Sequence, residues 1–106
     1  MGFFDFLRGP DMDAGMEQLK NTPGGVLVDV RTPEEYQSGR IPGSVNVPLQ
    51  ALDRISEQVG HKDVPLFVYC QSGARSRQAA AMLKSMGYTN VTNLGGITAW
   101  RGKVER

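Results

Sequence analysis

A chain of 106 residues, 40% hydrophobic and 22% charged, has the size and balance of one folded domain that buries its own core. Its net charge of +1, without any run of Lys or Arg, argues against a nucleic-acid partner, which would require a concentrated basic face. A single cysteine excludes an internal disulfide, and one cysteine with one histidine falls short of a zinc ligand set.

Taken in chain order, residues 1–10 read as an N-terminal extension ahead of a domain spanning 11–106. The apolar Phe3, Phe4, Phe6 and Leu7 are interrupted by Asp5, too short a stretch for a signal-peptide core or a membrane span. The chain opens Met-Gly, but Phe6 stands where a myristoylation signal needs Ser or Thr. No later stretch reaches transmembrane length, so a soluble, cytoplasmic protein is expected. Phe3, Phe4, Phe6 and Leu7 are expected to wrap onto the domain's own surface, with docking to a partner or membrane surface as the other reading. Asp13 is expected to cap a helix that turns Met16 and Leu19 inward.

"VLVDV", Val26 to Val30, is a β-branched strand introduced by Gly24-Gly25. "TPEEYQSG" predicts a short helix with Thr32 as N-cap, Pro33 at its first position and Gly39 as its stop. A Pro-Gly turn and a brief strand around Val45 to Val47 follow. Leu49, Leu52, Ile55 and Val59 recur at helical spacing as far as Gly60. "LFVYC" has the unbroken apolar character of a strand buried on both faces. Ser76 to Met86 predicts a helix stopped by Gly87, "NVTNL" a last strand, and "ITAWRG" a closing helical turn. Strands alternating with helices predict a parallel sheet covered on both sides, with chemistry at the carboxyl ends of its strands.

Cys70 stands at such an end. A lone cysteine is by default an inert core thiol, since free Cys is among the most buried residue types. The loop that follows, Gln71, Ser72, Gly73, Ala74, Arg75 and Ser76, favours a nucleophile instead. A short strand-to-helix loop of small residues turns its N–H groups toward the sulfur, with Gly73 free to take conformations barred to other residues. A helix start near Ser76 adds its positive end. Such surroundings lower a thiol pKa from about 8.5 to roughly 7 or below, and Arg75 supplies a fork of donors suited to an oxyanion. The lone histidine, His61, precedes the strand that delivers Cys70 and so falls near its far end, roughly 17–20 Å away. A Cys–His dyad is therefore not expected, and His61 reads as a solvated loop residue.

"VLVDVRTPEEYQSGRIPGSVNVP", "LFVYCQSGARS" and "NLGGITAW", in that order, resemble the single-domain rhodaneses, a family of sulfurtransferases. The resemblance runs from about Asp11 to Gly102. It implies an α/β, three-layer fold with a mostly parallel five-stranded sheet and helices on both faces. It also implies a ping-pong reaction in which the cysteine takes sulfur from a donor such as thiosulfate, holds it as a persulfide and passes it to cyanide or a thiol. Carried onto this chain, the resemblance makes Cys70 the sulfur carrier and gives the N–H groups of Gln71 to Ser76 the task of stabilising thiolate and persulfide. Arg75 then orients the donor, and Ser76 caps the next helix while its hydroxyl reaches the sulfur. Related cell-cycle phosphatases place one more residue between cysteine and arginine; the four residues here suit sulfur better than phosphate or arsenate. The chain departs from the family in carrying Arg40 where a histidine usually precedes Ile-Pro-Gly; the resemblance implies a mainly structural role there, with added positive charge near the pocket as the other expectation.

These features imply a thiosulfate sulfurtransferase without metal or organic cofactor, acting as a monomer on a small-molecule sulfur donor and a thiol or cyanide acceptor. A sulfur-relay protein is a further candidate partner. The alternatives are a rhodanese-like binding or regulatory module, which would not need an intact cysteine loop, and a persulfide relay fed by a desulfurase. Asp29 and Arg31 are expected to form ion pairs that fix neighbouring loops, and Glu34 and Glu35 to suit the dipole of their helix. Trp100, Met12, Met16, Met82 and Met86 are expected to pack in the core or along helix faces.

Overall fold

"LFVYC" forms strand β3, Leu66–Cys70, and every one of its residues is buried. It takes the centre of the sheet because both its faces are apolar: Leu66, Val68 and Cys70 point into one core cluster, Phe67 and Tyr69 into the other. The computed structural model describes residues 9–106, so the reading of Phe3, Phe4, Phe6 and Leu7 lies outside the described residues. The remaining elements are helix α1 (Met12–Lys20), strand β1 (Val26–Asp29), helix α2 (Pro33–Ser38), strand β2 (Val45–Asn46), helix α3 (Ala74–Ser85) and strand β4 (Val91–Gly96). Two 3₁₀ segments, Leu49–Glu57 and Ile97–Ala99, complete the order.

The sheet runs β2-β1-β3-β4 with all neighbours parallel. Strand β2 lies to one side of β1 and β3 to the other, so the chain reverses direction across the sheet between β1 and β3. Their carboxyl ends flank the crevice where open α/β sheets bind ligands. The Leu49–Glu57 segment and α3 contribute to the cluster on one face through Leu52, Ile55, Ala79 and Leu83. Met12 of α1, with Leu94 and Ile41, fills the other, and Met16, Leu19, Ile97 and Trp100 close over it.

Several expectations are corrected. Asp11, not Asp13, caps α1: its extended backbone lets Oδ1 accept the Ala14 N–H at 3.1 Å, while Asp13 lies inside the first turn. The Leu49, Leu52, Ile55 spacing is realised as a 3₁₀ segment kinked at Ala51, because steps of three match three residues per turn. Helix α3 begins at Ala74 with Gly73 as its N-cap, so Ser76 lies in the first turn and is not the cap. Met82 is exposed, because it falls off the stripe formed by Ser76, Ala79, Ala80 and Leu83. All four strands expected from the residues are present. The fifth, implied only by the family resemblance, has no counterpart among the described residues, where the one pairing outside the named strands is the Arg40–Glu105 bridge.

Candidate active site

Cys70 ends β3, and the chain turns at once into α3. Gly73 makes that turn possible with φ of 108°, a left-handed backbone that side-chain-bearing residues rarely adopt. The turn aims the Gly73 N–H at the Cys70 sulfur, donating to Sγ at 3.0 Å. Burial pushes the Cys70 thiol up, but the N–H groups of Ser76, Gly73 and Ser72 and the Ser76 hydroxyl outweigh it, so the net shift is downward. The cysteine is free and only 1% exposed. A reaction partner must therefore bring its reacting atom down into the loop.

Three of the loop's N–H groups thus act on the sulfur, and its other members serve in different ways. The Gln71 side chain accepts from Arg31 Nη1 at 3.1 Å, joining the loop after β3 to the loop after β1. Ala74 opens α3. The Ser76 hydroxyl, fully buried, lies within hydrogen-bond range of the Gly73 and Gly95 carbonyls at 3.1 and 3.3 Å, holding α3 to β4. From β4, Gly96 presses on the loop so closely that a Cβ there would lie 2.5 Å from the Gln71 carbonyl oxygen. A cavity of about 490 Å³ borders Ser72, Gly73 and Ala74 on the β4 side, but Cys70 does not line it. The sulfur faces the loop's interior and not this cavity.

Arg75 meets a carboxylate that the sequence reading assigned only to a helix dipole. Its Nη1 and Nη2 donate to Oε1 and Oε2 of Glu35 at 2.7 and 2.9 Å. Glu35 is fixed in turn by the capping box of α2, since Thr32 donates to Oε1 through its N–H at 3.0 Å and its hydroxyl at 3.1 Å. The Arg75 guanidinium holds the Glu35 carboxyl down to about 2, and Glu35 raises Arg75. Behind this pair lies a second one. Arg31, 3% exposed, binds the fully buried Asp29 through Nε and Nη2 and donates to the Gly39 carbonyl. Burial opposes the Arg31 charge, but the Asp29 carboxylate outweighs it and the Arg31 pKa is raised. The Asp29–Arg31 pair is the ion pairing expected of these two residues; the Arg75–Glu35 pair was not.

Arg40 is turned elsewhere. It pairs with Glu105 at 3.3 Å and stacks on the Tyr36 ring at 4.8 Å. Tyr69, beneath the Asp29–Arg31 pair, is pushed up to about 12 by burial; its hydroxyl donates to Ser44 Oγ and accepts the Ile41 N–H. His61 is exposed. Among the described residues no group of His, Cys, Asp and Glu is gathered to hold a metal, and no helix is long and apolar enough to cross a membrane.

A thiol whose pKa is lowered by neighbouring N–H groups, at the carboxyl end of a central parallel strand, is a setting suited to a nucleophile. Known proteins agree with this geometry. A family model described as the rhodanese-like domain matches residues 13–103. The chain belongs to the rhodanese-like family. A sulfurtransferase of Allochromatium vinosum is 44% identical over 92 residues, covering 85% of this chain and 84% of that protein. The thiosulfate sulfurtransferase PspE of Escherichia coli is 44% identical over 71 residues, covering 66% and 68%. Among solved structures, a rhodanese with anions from E. coli superposes with a TM-score of 0.73 at 37% identity, covering 77% of this chain and 98% of that one. The human single-domain sulfurtransferase TSTD1 gives 0.71 at 26% identity, covering 85% and 94%. This rhodanese-like chain therefore shares its three-layer α/β fold with proteins from bacteria to human.

Proposed function

We propose that this rhodanese-like chain is a sulfurtransferase in which Cys70 carries a sulfane sulfur between a donor and a thiophilic acceptor. The observation that carries the reading is the Gly73 N–H aimed at Sγ at 3.0 Å, within a loop whose combined donors hold the thiol below its ordinary range. In the first half-reaction the Cys70 thiolate attacks the outer sulfur of thiosulfate. The new Sγ–S bond forms, the S–S bond of thiosulfate breaks, and sulfite leaves with that bond's electron pair. The product is a Cys70 persulfide anion, stabilised by the same N–H groups of Ser72, Gly73 and Ser76. In the second half-reaction an acceptor such as cyanide or a thiolate attacks the outer sulfur, and the Cys70 thiolate leaves.

Arg75 keeps N–H donors beyond the two engaged by Glu35, and these orient the oxyanion part of the donor. The short span from Cys70 to Arg75 favours a sulfur atom over a phosphoryl group. Residues 11–106 act as the catalytic unit, with 1–10 as an extension, and the chain works as a cytoplasmic monomer that needs no cofactor. The names of the A. vinosum and E. coli relatives support the reaction class. The test is thiocyanate formation from thiosulfate and cyanide. Parallel double-reciprocal lines are expected for the native protein and no turnover for Cys70→Ser; equal rates for the two would sink the reading.

A further inference from the structure

The two arginines that flank the cysteine loop through ion pairs, Arg75 and Arg31, each face a carboxylate. Arg75 is neutralised by Glu35 through two hydrogen bonds of 2.7 and 2.9 Å, and Arg31 by Asp29 through contacts of 2.7 to 3.1 Å. With the Cys70 thiolate formed, these two pairs and the thiolate sum to a negative charge, so an incoming anion meets only the Arg75 donors that Glu35 leaves over, the backbone N–H groups, the start of α3 and Arg77 on the neighbouring cavity. Glu35 is also not free to swing away. Thr32 holds its Oε1 from two directions, and the Arg75 guanidinium keeps the carboxylate ionised at neutral pH. Thiosulfate would therefore bring two negative charges to a site whose cation already has a partner.

We propose that Glu35 sets the donor preference of this site by charge: it holds down the affinity for doubly charged oxyanion donors relative to donors whose leaving part carries less charge. Glu35 is a positioning and specificity residue that acts through Arg75; it does not touch the reacting sulfur. The inference rests on the sulfurtransferase reading for the reaction, while its electrostatic content concerns anion binding alone.

The test compares the native protein with Glu35→Gln on two donors that differ by one charge, thiosulfate and methanethiosulfonate. In the second case the thiolate takes the outer sulfur and methanesulfinate leaves with the electron pair, so both reactions balance in the same way. Gln at this position keeps the capping box and one oxygen to accept from Thr32 and Arg75 Nη1, while its amide nitrogen replaces the acceptor that met Arg75 Nη2, so the charge is removed with the loss of one hydrogen bond. Glu35→Ala serves as a second charge-free variant should the first fail to fold. The ratio of kcat/KM for thiosulfate to that for methanethiosulfonate should rise roughly three- to tenfold, through a lower thiosulfate KM with kcat little changed. An unchanged ratio, or a higher thiosulfate KM in the variant, would overturn the proposal, since it would mean that Glu35 merely holds Arg75 in place.

A binding readout separates this failure from that of the sulfurtransferase reading. Protection of Cys70 from iodoacetamide by sulfate should improve in Glu35→Gln more than protection by methanesulfonate. If neither protein transfers sulfur but this difference appears, the reaction assignment falls and the charge preference stands. If the difference is missing as well, both fall.

Discussion

Gly96→Ala tests whether the cysteine loop is shaped by its neighbour strand as well as by its own residues. At φ −105° the backbone of Gly96 suits any residue, so the perturbation is purely steric. The added Cβ would meet the Gln71 carbonyl oxygen at 2.5 Å and the Ser72 Cα and carbonyl carbon at 2.7 and 2.9 Å. To restore an ordinary carbon–oxygen separation of about 3.3 Å the loop must retreat by roughly 0.8 Å. These atoms are backbone, anchored by the Arg31–Gln71 bond on one side and by β3 on the other, so no side chain can swing aside to relieve the clash. Overpacking of this kind costs about 1–3 kcal/mol, which lowers Tm by roughly 4–8 °C per kcal/mol in a domain of this size. A shift of this size in the N–H groups around Sγ costs up to about a hundredfold in transfer rate. The assay pairs thermal unfolding followed by circular dichroism with thiocyanate formation. Gly60→Ala is the control, because a Cβ there meets nothing within 4 Å. A Gly96→Ala protein with native Tm and native turnover would refute the claim that β4 holds the loop in its reactive shape.

Asp29→Ala strands the Arg31 guanidinium in a buried site with only the Gly39 carbonyl and Gln71 Oε1 as partners, and should cost about 3–5 kcal/mol in denaturant unfolding. A loss below about 1 kcal/mol would show that the pair is not what secures the two loops. Glu35 is held near 2 when folded and returns to its ordinary range when unfolded, so the stability it adds is fully present above pH of about 4.5 and is lost as pH falls toward 2. After allowance for solvent screening the gap between native and Glu35→Gln proteins should be about 1 kcal/mol at neutral pH and should close on acidification; a gap that stays constant to pH 2 would contradict the assignment.

Much of this architecture is legible because sequence and packing agree. The run "LFVYC" is apolar on every residue because β3 is covered on both faces, and Thr32-Pro33 through Gly39 is a complete helix with its cap, start and stop. Sequence reasoning could find Cys70 because a lone thiol between a buried strand and a small-residue loop is a local pattern. It failed where the relevant distance is measured across the sheet. Nothing near Glu35 along the chain says that it meets Arg75, 40 residues away; only the adjacency of β1 and β3 brings the two loops together. The same holds for Gly96, whose lack of a side chain matters because of Gln71 on the neighbouring strand's loop. One signal was available: acidic and basic residues gathered just after β1, at the point where the strand order reverses. The helix boundary at Gly73 was missed because Ser is the commoner cap, whereas here the left-handed turn around the sulfur decides where α3 begins.

The central claim is that the Cys70 sulfur accepts a second sulfur atom. The most direct measurement is the intact mass of the reduced protein after incubation with thiosulfate, beside the Cys70→Ser variant. The account predicts a gain of one sulfur atom in the native protein, none in the variant, and its removal by cyanide with return of the original mass. A native protein that gains no sulfur while its thiol is shown to be free and reactive would contradict it.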